Sequence, residues 1–88
     1  MEVDRFRIDE IINGIHWVFD IIEFDVAGMP IYLLDFHDDE MRKYNETGNQ
    51  ITMTYAFDSD VIQFDRYHGE VLKSIESQLG SLIKVHTS

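Results

Sequence analysis

The segment from residue 16 to residue 36 constrains the fold most, because two runs of strand-forming residues flank a single break. The first run extends from His16 to Val26 and contains Trp17, Val18, Phe19, Ile21, Ile22, Phe24 and Val26. Gly28-Met29-Pro30 interrupts the pattern, and a second run follows from Ile31 to Phe36. β-Branched and aromatic side chains favour strands, whereas Gly and Pro end them. The pattern predicts an antiparallel β-hairpin.

A third strand is predicted at 51–57, where apolar residues alternate with Thr52, Thr54 and Ala56. Alternation with period two is typical of a half-buried strand. The N-terminal segment differs, since its isoleucines recur at helical spacing: Ile8, Ile11, Ile12 and Ile15. With Asp4 as the N-cap and Asn13-Gly14 as a stop, this predicts a helix over about residues 5–13. The alternative is a strand from Phe6 that turns at Asn13-Gly14, which Asp9-Glu10-Ile11-Ile12 disfavours by breaking the alternation.

The last third of the chain predicts a longer helix. Asp58-Ser59-Asp60 offers N-caps, and apolar residues then recur every three or four positions until Gly80, where the helix is expected to end. The stretch from His37 to Gln50 reads as a loop with one helical turn around 40–44. The expected fold is α+β, with an antiparallel sheet of about three strands, an N-terminal helix and a longer C-terminal helix, in the order α-β-β-β-α.

The register of the hairpin decides which side chains share a face. A three-residue connection would set Val26 opposite Tyr32, Phe24 opposite Leu34 and Ile22 opposite Phe36, all on one apolar face. The other face would then pair Glu23 with Asp35 and Asp25 with Leu33. This register leaves Ile31 and Leu33 beside acids on the outer face. Such a surface is suited to binding a partner.

Charge is the strongest signal for function. The chain has a formal net charge of -10, and nine acids but no Lys or Arg lie between Arg7 and Arg42. Proteins that bind nucleic acid directly need clustered Lys and Arg, and the seven bases of this chain are scattered. Direct nucleic-acid binding is therefore disfavoured, and a basic protein partner is favoured.

Length and composition limit the remaining possibilities. The 88 residues are expected to form one domain, residues 1–88. The absence of cysteine rules out disulfides and thiolate metal sites, which favours a reducing cytoplasm. The acidic N-terminus is unlike a signal peptide, and no run reaches the ~18 apolar residues of a membrane span, so no membrane association is expected.

Few residues are candidates for catalysis or for metal binding. His37-Asp38-Asp39-Glu40 reads first as a solvated loop, next as interface acids, and only last as a metal site, because consecutive side chains diverge. Asp65 and His68 are three residues apart and read as a surface ion pair rather than a general-base pair. A cysteine nucleophile and a glycine-rich phosphate loop are both missing from the sequence. We therefore expect that the protein is not an enzyme and binds no cofactor. Trp17 is interpreted as a core residue rather than an interface residue.

The sequence leaves two hypotheses for function. The first is an acidic inhibitor that covers a basic partner, such as an immunity protein against a nuclease-type toxin or a phage-type inhibitor of a nucleic-acid-binding protein. Its expected contacts are Glu23, Asp25, Ile31, Leu33, Asp35, Asp38, Asp39 and Glu40. The alternative is a homo-oligomeric structural or adaptor module, with a homodimer as the simplest form, whose acidity serves solubility.

Overall fold

Five antiparallel strands form one sheet in the computed structural model, which describes residues 1–88. The strands lie in chain order: β1 (Glu2–Ile12), β2 (Ile15–Val26), β3 (Met29–Phe36), β4 (Ile51–Ala56) and β5 (Val61–Phe64). A 3₁₀ helix at Asp39–Tyr44 separates β3 from β4, and one α-helix, α1 (Glu70–Thr87), follows β5. The chain belongs to the α+β class, but the predicted arrangement of about three strands and two helices is wrong.

The predicted N-terminal helix is a strand. Asn13 and Gly14 have positive φ angles of 53° and 80°, which is the two-residue type I′ turn that joins twisted antiparallel strands. Ile8 and Ile12 point into the core, while Ile11 lies on the opposite face with 73% of its surface exposed. The isoleucines are spaced as on one face of a helix, but in the strand they do not share a face. Ile8 and Ile12 face the core and Ile11 faces away from it. The hairpin alternative is the correct one.

The predicted start and end of the last helix are also wrong. Residues 57–60 form a turn, and β5 pairs with β4 through Tyr55 opposite Ile62. The helix α1 begins only after Gly69 and continues through Gly80 to Thr87. Gly80 does not end the helix because it makes the closest approach to the sheet: a Cβ at this position would overlap the carbonyl oxygen of Ile62. The glycine is required by packing rather than by a helix stop.

The core lies between α1 and one face of the sheet. The helix buries Leu72, Ile75, Leu79 and Ile83, and the sheet contributes Trp17, Phe19, Ile21, Leu34 and Met53 among others. Trp17 is fully buried, and its indole Nε1 donates a hydrogen bond of 3.3 Å to the carbonyl oxygen of Ile12. Its predicted role in the core is confirmed.

The predicted register of the β2–β3 hairpin is wrong. The connection is a two-residue turn, with φ angles of 54° at Ala27 and 82° at Gly28, and Met29 already belongs to β3. Phe24 therefore lies opposite Ile31, Ile22 opposite Leu33, and Glu23 opposite Tyr32. The shorter turn changes the partner of every residue in both strands. For this reason the predicted faces combined residues that lie on opposite faces of the sheet.

The start of α1 is capped by a distant loop. The N-cap residue, Gly69, has no side chain to offer, and the carboxylate of Glu46 accepts a 3.0 Å hydrogen bond from the amide of Glu70 instead. The amide of Glu46 in turn donates a 2.9 Å bond to the carbonyl oxygen of His68. A carboxylate at this end of a helix also interacts favourably with the helix dipole.

We expect Glu46→Ala to lower the free energy of unfolding by about 1 kcal/mol, because the helix start loses its acceptor and its negative charge. Glu46→Gln keeps an acceptor oxygen and is expected to lose less than half as much. Urea denaturation measures both. Equal stability of Glu46→Ala and the parent protein would contradict the capping role.

Candidate functional site

The second face of the sheet is covered by no other element, and we call it the open face. Its side chains alternate along each strand with those that reach the core. Eight of its apolar residues lie near the turn between β2 and β3, in three adjacent cross-strand rows of β2 and β3 (Val26 with Met29, Phe24 with Ile31, Ile22 with Leu33) and in one pair of β4 and β5 (Ala56 with Val61). We call these eight residues the apolar patch.

The apolar patch is accessible to solvent. Val26, Met29 and Val61 are 51%, 40% and 45% exposed, although all three are apolar. Phe24 and Ile31 in the next row are half-buried by their neighbours on the sheet alone. Clusters of exposed apolar side chains with a polar surround are typical of protein-interaction sites.

A charged row borders the apolar patch on the side away from the turn. Asp20 and Asp35 lie directly opposite one another, so their carboxylates would repel. Each is neutralised by a different arginine: Arg7 Nε lies 2.8 Å from Asp20, and Arg42 lies 3.0 Å from Asp35. The hydrogen bond from Arg7 lowers the pKa of Asp20. These ion pairs hold the border in a fixed arrangement.

A shallow depression of about 910 Å³ lies where the apolar patch meets this charged row. It is lined by side chains from β1, β2, β3 and the following loop: Arg5, Phe6, Arg7, Asp20, Ile21, Ile22, Leu33, Leu34, Asp35, Arg42 and Gln50. Each of its three arginines is paired with an acid, since Arg5 bonds to Glu2 and Arg42 also bonds to Asp39. The arrangement offers apolar contact beside fixed, paired charges.

The structure distributes the predicted site residues over three places. Ile31, Leu33 and Asp35 lie on the open face. Glu23 and Asp25 instead share the face of Tyr32 that α1 packs against, so the predicted pairings of Glu23 with Asp35 and Asp25 with Leu33 are wrong. The cause is the two-residue turn at Ala27-Gly28.

The remaining predicted acids surround the start of the 3₁₀ helix, at the opposite end of the sheet from the apolar patch. Asp38 caps this helix by accepting a 3.1 Å hydrogen bond from the amide of Glu40, and Asp39 bonds to Arg42 at 2.9 Å. Asp38 and Glu40 make no ion pair with any base. Asp38 and Glu40 contribute to the electrostatic field of the protein without touching the patch, whereas Arg42 links Asp39 to Asp35 on the open face.

Two unpaired acids lie at the turn end of the sheet, next in sequence to residues of the apolar patch or in the turn beside it, although the side chain of Asp25 lies on the α1 face. Asp25 precedes Val26 and accepts a 2.8 Å hydrogen bond from the amide of Gly28, and Asp58 lies in the turn that leads to Val61. Neither carboxylate contacts a base, whereas nearby Asp60 pairs with Lys84 at 2.7 Å. Asp58 was not identified from the sequence, and the patch residues of β2 were predicted to lie on the core face. A two-residue turn at Ala27-Gly28 would have placed those β2 residues correctly.

The structure changes the interpretation of Asp65 and His68. His68 lies before α1 rather than on it, and it is only 1% exposed, so the predicted surface ion pair is wrong. Its Nδ1 lies 3.1 Å from Thr47 Oγ1 and 3.2 Å from Asn45 Oδ1, which ties the β3–β4 loop to the start of the helix. Its Nε2 has no hydrogen-bond partner and lies 4.0 Å from Asp65. Burial lowers the pKa of His68.

This burial predicts a pH dependence of stability. As pH falls below about 6.5, the unfolded chain binds a proton at His68 that the folded protein does not yet bind. The free energy of unfolding is therefore expected to fall as pH decreases from about 6.5 towards the lower pKa of the folded state, by at most about 1.4 kcal/mol per pH unit. His68→Gln should show a shallower slope between pH 7 and pH 5 in denaturant titrations. An unchanged slope would contradict the burial of a neutral imidazole.

Comparison with protein-family models, with curated proteins and with solved structures gives no significant match. None of the helical segments combines the length and apolarity that crossing a lipid bilayer requires. Groups of three or more His, Asp or Glu side chains placed to hold a metal ion do not occur.

Proposed function

We propose that this chain is a non-enzymatic cytoplasmic protein that inhibits a basic, nucleic-acid-directed protein by covering its binding surface. A nuclease-type toxin bound by its immunity protein, or a nucleic-acid-binding protein bound by a phage-type inhibitor, are the settings this proposal favours. The observation that carries it is the apolar patch, in which eight apolar side chains lie together on the face of the sheet that α1 does not cover.

Two physical contributions support this mechanism. Burial of the apolar patch against a partner contributes about 25 cal/mol for each Å² of apolar surface removed from water. The carboxylates then act in the place of substrate phosphates opposite Lys and Arg of the partner. The net charge of -10 adds a long-range attraction that accelerates association with a cation by about 10-fold to 10³-fold at low salt.

The residues proposed to contact the partner lie on and around the open face. Ile31 and Leu33 lie at its centre with Phe24, Asp58 lies in the turn beside it, and Asp25 lies at the turn end of the sheet with its side chain on the α1 face. Asp35 and Asp39 contact the partner through the ion-pair network of Arg42. Glu23, Asp38 and Glu40 lie elsewhere and serve the long-range field.

A photo-crosslinking residue in place of Thr54 tests the proposal, because Thr54 lies on the open face next to Ile31. The matched control carries the same residue in place of Ser74, which is exposed on α1. We expect a basic protein to crosslink in the source cell through position 54 and not through position 74. Adding the purified inhibitor in equimolar amount should then abolish the nucleic-acid binding or cleavage of that partner. Retained activity, or no product at position 54, would contradict the proposal.

A further inference from the structure

The outer edge of β1 is free. β1 is an 11-residue strand that pairs with β2 alone. In a two-residue hairpin the pair that closes the turn, here Ile12 and Ile15, exchanges hydrogen bonds, and the direction of the backbone groups then alternates along the strand. The N–H and C=O groups of Arg7, Asp9 and Ile11 consequently point away from β2. An open edge of this length is a template for pairing with another strand.

Exposed apolar side chains accompany this edge. Ile11 on β1 is 73% exposed, and Val85 on the neighbouring face of α1 is 74% exposed. A groove of about 510 Å³ lies between β1 and α1, with Ile12 and Leu82 in its wall. A strand added to the edge of β1 would cover this groove and shield both exposed side chains from water.

The charges along β1 select one register for pairing between two copies. Centring an antiparallel pair on Arg7 would set that residue against itself, and centring on Asp9 would do the same for Asp9. Centring on Phe6 would set Arg5 against Arg7. Centring on Ile8 sets Arg7 opposite Asp9 in both directions and places no like charges opposite one another. Its full set of pairs is Asp4–Ile12, Arg5–Ile11, Phe6–Glu10, Arg7–Asp9 and Ile8–Ile8.

We infer that two copies of this chain associate through antiparallel pairing of their β1 strands about a two-fold axis at Ile8. The result is a continuous sheet of ten strands, five from each copy, in which both open faces point to the same side. The paired edges exchange about eight backbone hydrogen bonds. The surface is separate from the apolar patch, so the inference does not depend on the proposed function.

Charge reversal tests the register directly. Asp9→Arg sets an arginine against Arg7 at each of the two symmetry-related places, and we expect the dissociation constant of the dimer to rise about 100-fold. Arg7→Asp should have a similar effect, since it sets Asp against Asp9. The double variant Arg7→Asp/Asp9→Arg restores opposite charges and should return the dissociation constant to within about fivefold of the parent value. Glu40→Arg makes the same change in charge away from β1 and serves as the control.

Sedimentation equilibrium over a range of protein concentrations measures these constants. Arg7 also pairs with Asp20 within one copy, so circular dichroism should confirm that each variant is folded. Asp9→Pro provides a second variant, because it removes an outward N–H without removing a bond to β2, and it should also dissociate the dimer. A monomeric parent protein at about 1 mM, or a double variant as weak as the single ones, would overturn the inference.

Discussion

Gly80→Ala lowers the free energy of unfolding by about 2 to 3 kcal/mol, although alanine is a better helix former than glycine by about 1 kcal/mol. The reason is that the added Cβ would overlap the backbone oxygen of Ile62, and a strand backbone cannot rotate aside as a side chain can. The helix must therefore move away from β5 and loosen the contacts of Leu79 and Ile83 with the core. Thermal and urea denaturation measure the effect.

Ser81→Ala is the matched control, because Ser81 is the next residue of α1 and is exposed. Its stability should stay within about 0.5 kcal/mol of the parent protein. If Gly80→Ala were as stable as Ser81→Ala, the close approach of α1 to β5 would be wrong, and with it the assignment of one face of the sheet as covered and the other as open.

The double variant Phe24→Thr/Ile31→Thr weakens binding to the partner captured through position 54 by at least about 100-fold. Both residues lie in the middle row of the apolar patch, where truncation of a well-packed interface residue costs most. Threonine retains β-propensity, and both positions face away from the core, so the free energy of unfolding should fall by no more than about 2 kcal/mol. Isothermal titration calorimetry and denaturation measure the two effects separately.

Val85→Thr removes an apolar side chain from α1 that is more exposed than Phe24 or Ile31, and it should leave partner affinity within about twofold. A similar loss of affinity in both variants would indicate that the partner binds apolar surface without preference for the open face. Unchanged affinity in the double variant would remove the apolar patch from the interface.

The sequence predicted the middle of the sheet well, because β2, β3 and β4 are each a dense or alternating run of strand formers bounded by turn residues. It failed at β1, where Ile8, Ile11 and Ile12 fit a helix and a strand equally until the fold shows which face is buried. It also failed at β5, which has four residues and follows acids that resemble a helix N-cap. A short strand is determined by its partner rather than by its own composition.

The candidate site was predicted only in part, because the length of the turn between β2 and β3 was predicted incorrectly. Ile31 and Leu33 were expected on the outer face and lie on the open face, but Glu23 and Asp25 changed faces because the connection has two residues rather than three. The ion pairs Arg7–Asp20 and Arg42–Asp35 each join residues of different elements. Contacts of that kind follow from the assembled sheet and leave no local pattern in the sequence.

The most direct test of the central claim is the rate of association between this protein and the captured partner, measured by stopped flow at low ionic strength. Asp25→Lys/Asp58→Lys reverses the two unpaired acids at the turn end of the sheet, and Glu40→Lys/Glu70→Lys makes the same change in net charge elsewhere. We predict that the first pair slows association by about 10-fold or more, that the second slows it by less than about threefold, and that high salt removes the difference. Equal rates for the two double variants would contradict the claim that the acids at the turn end of the sheet direct a basic partner to the apolar patch.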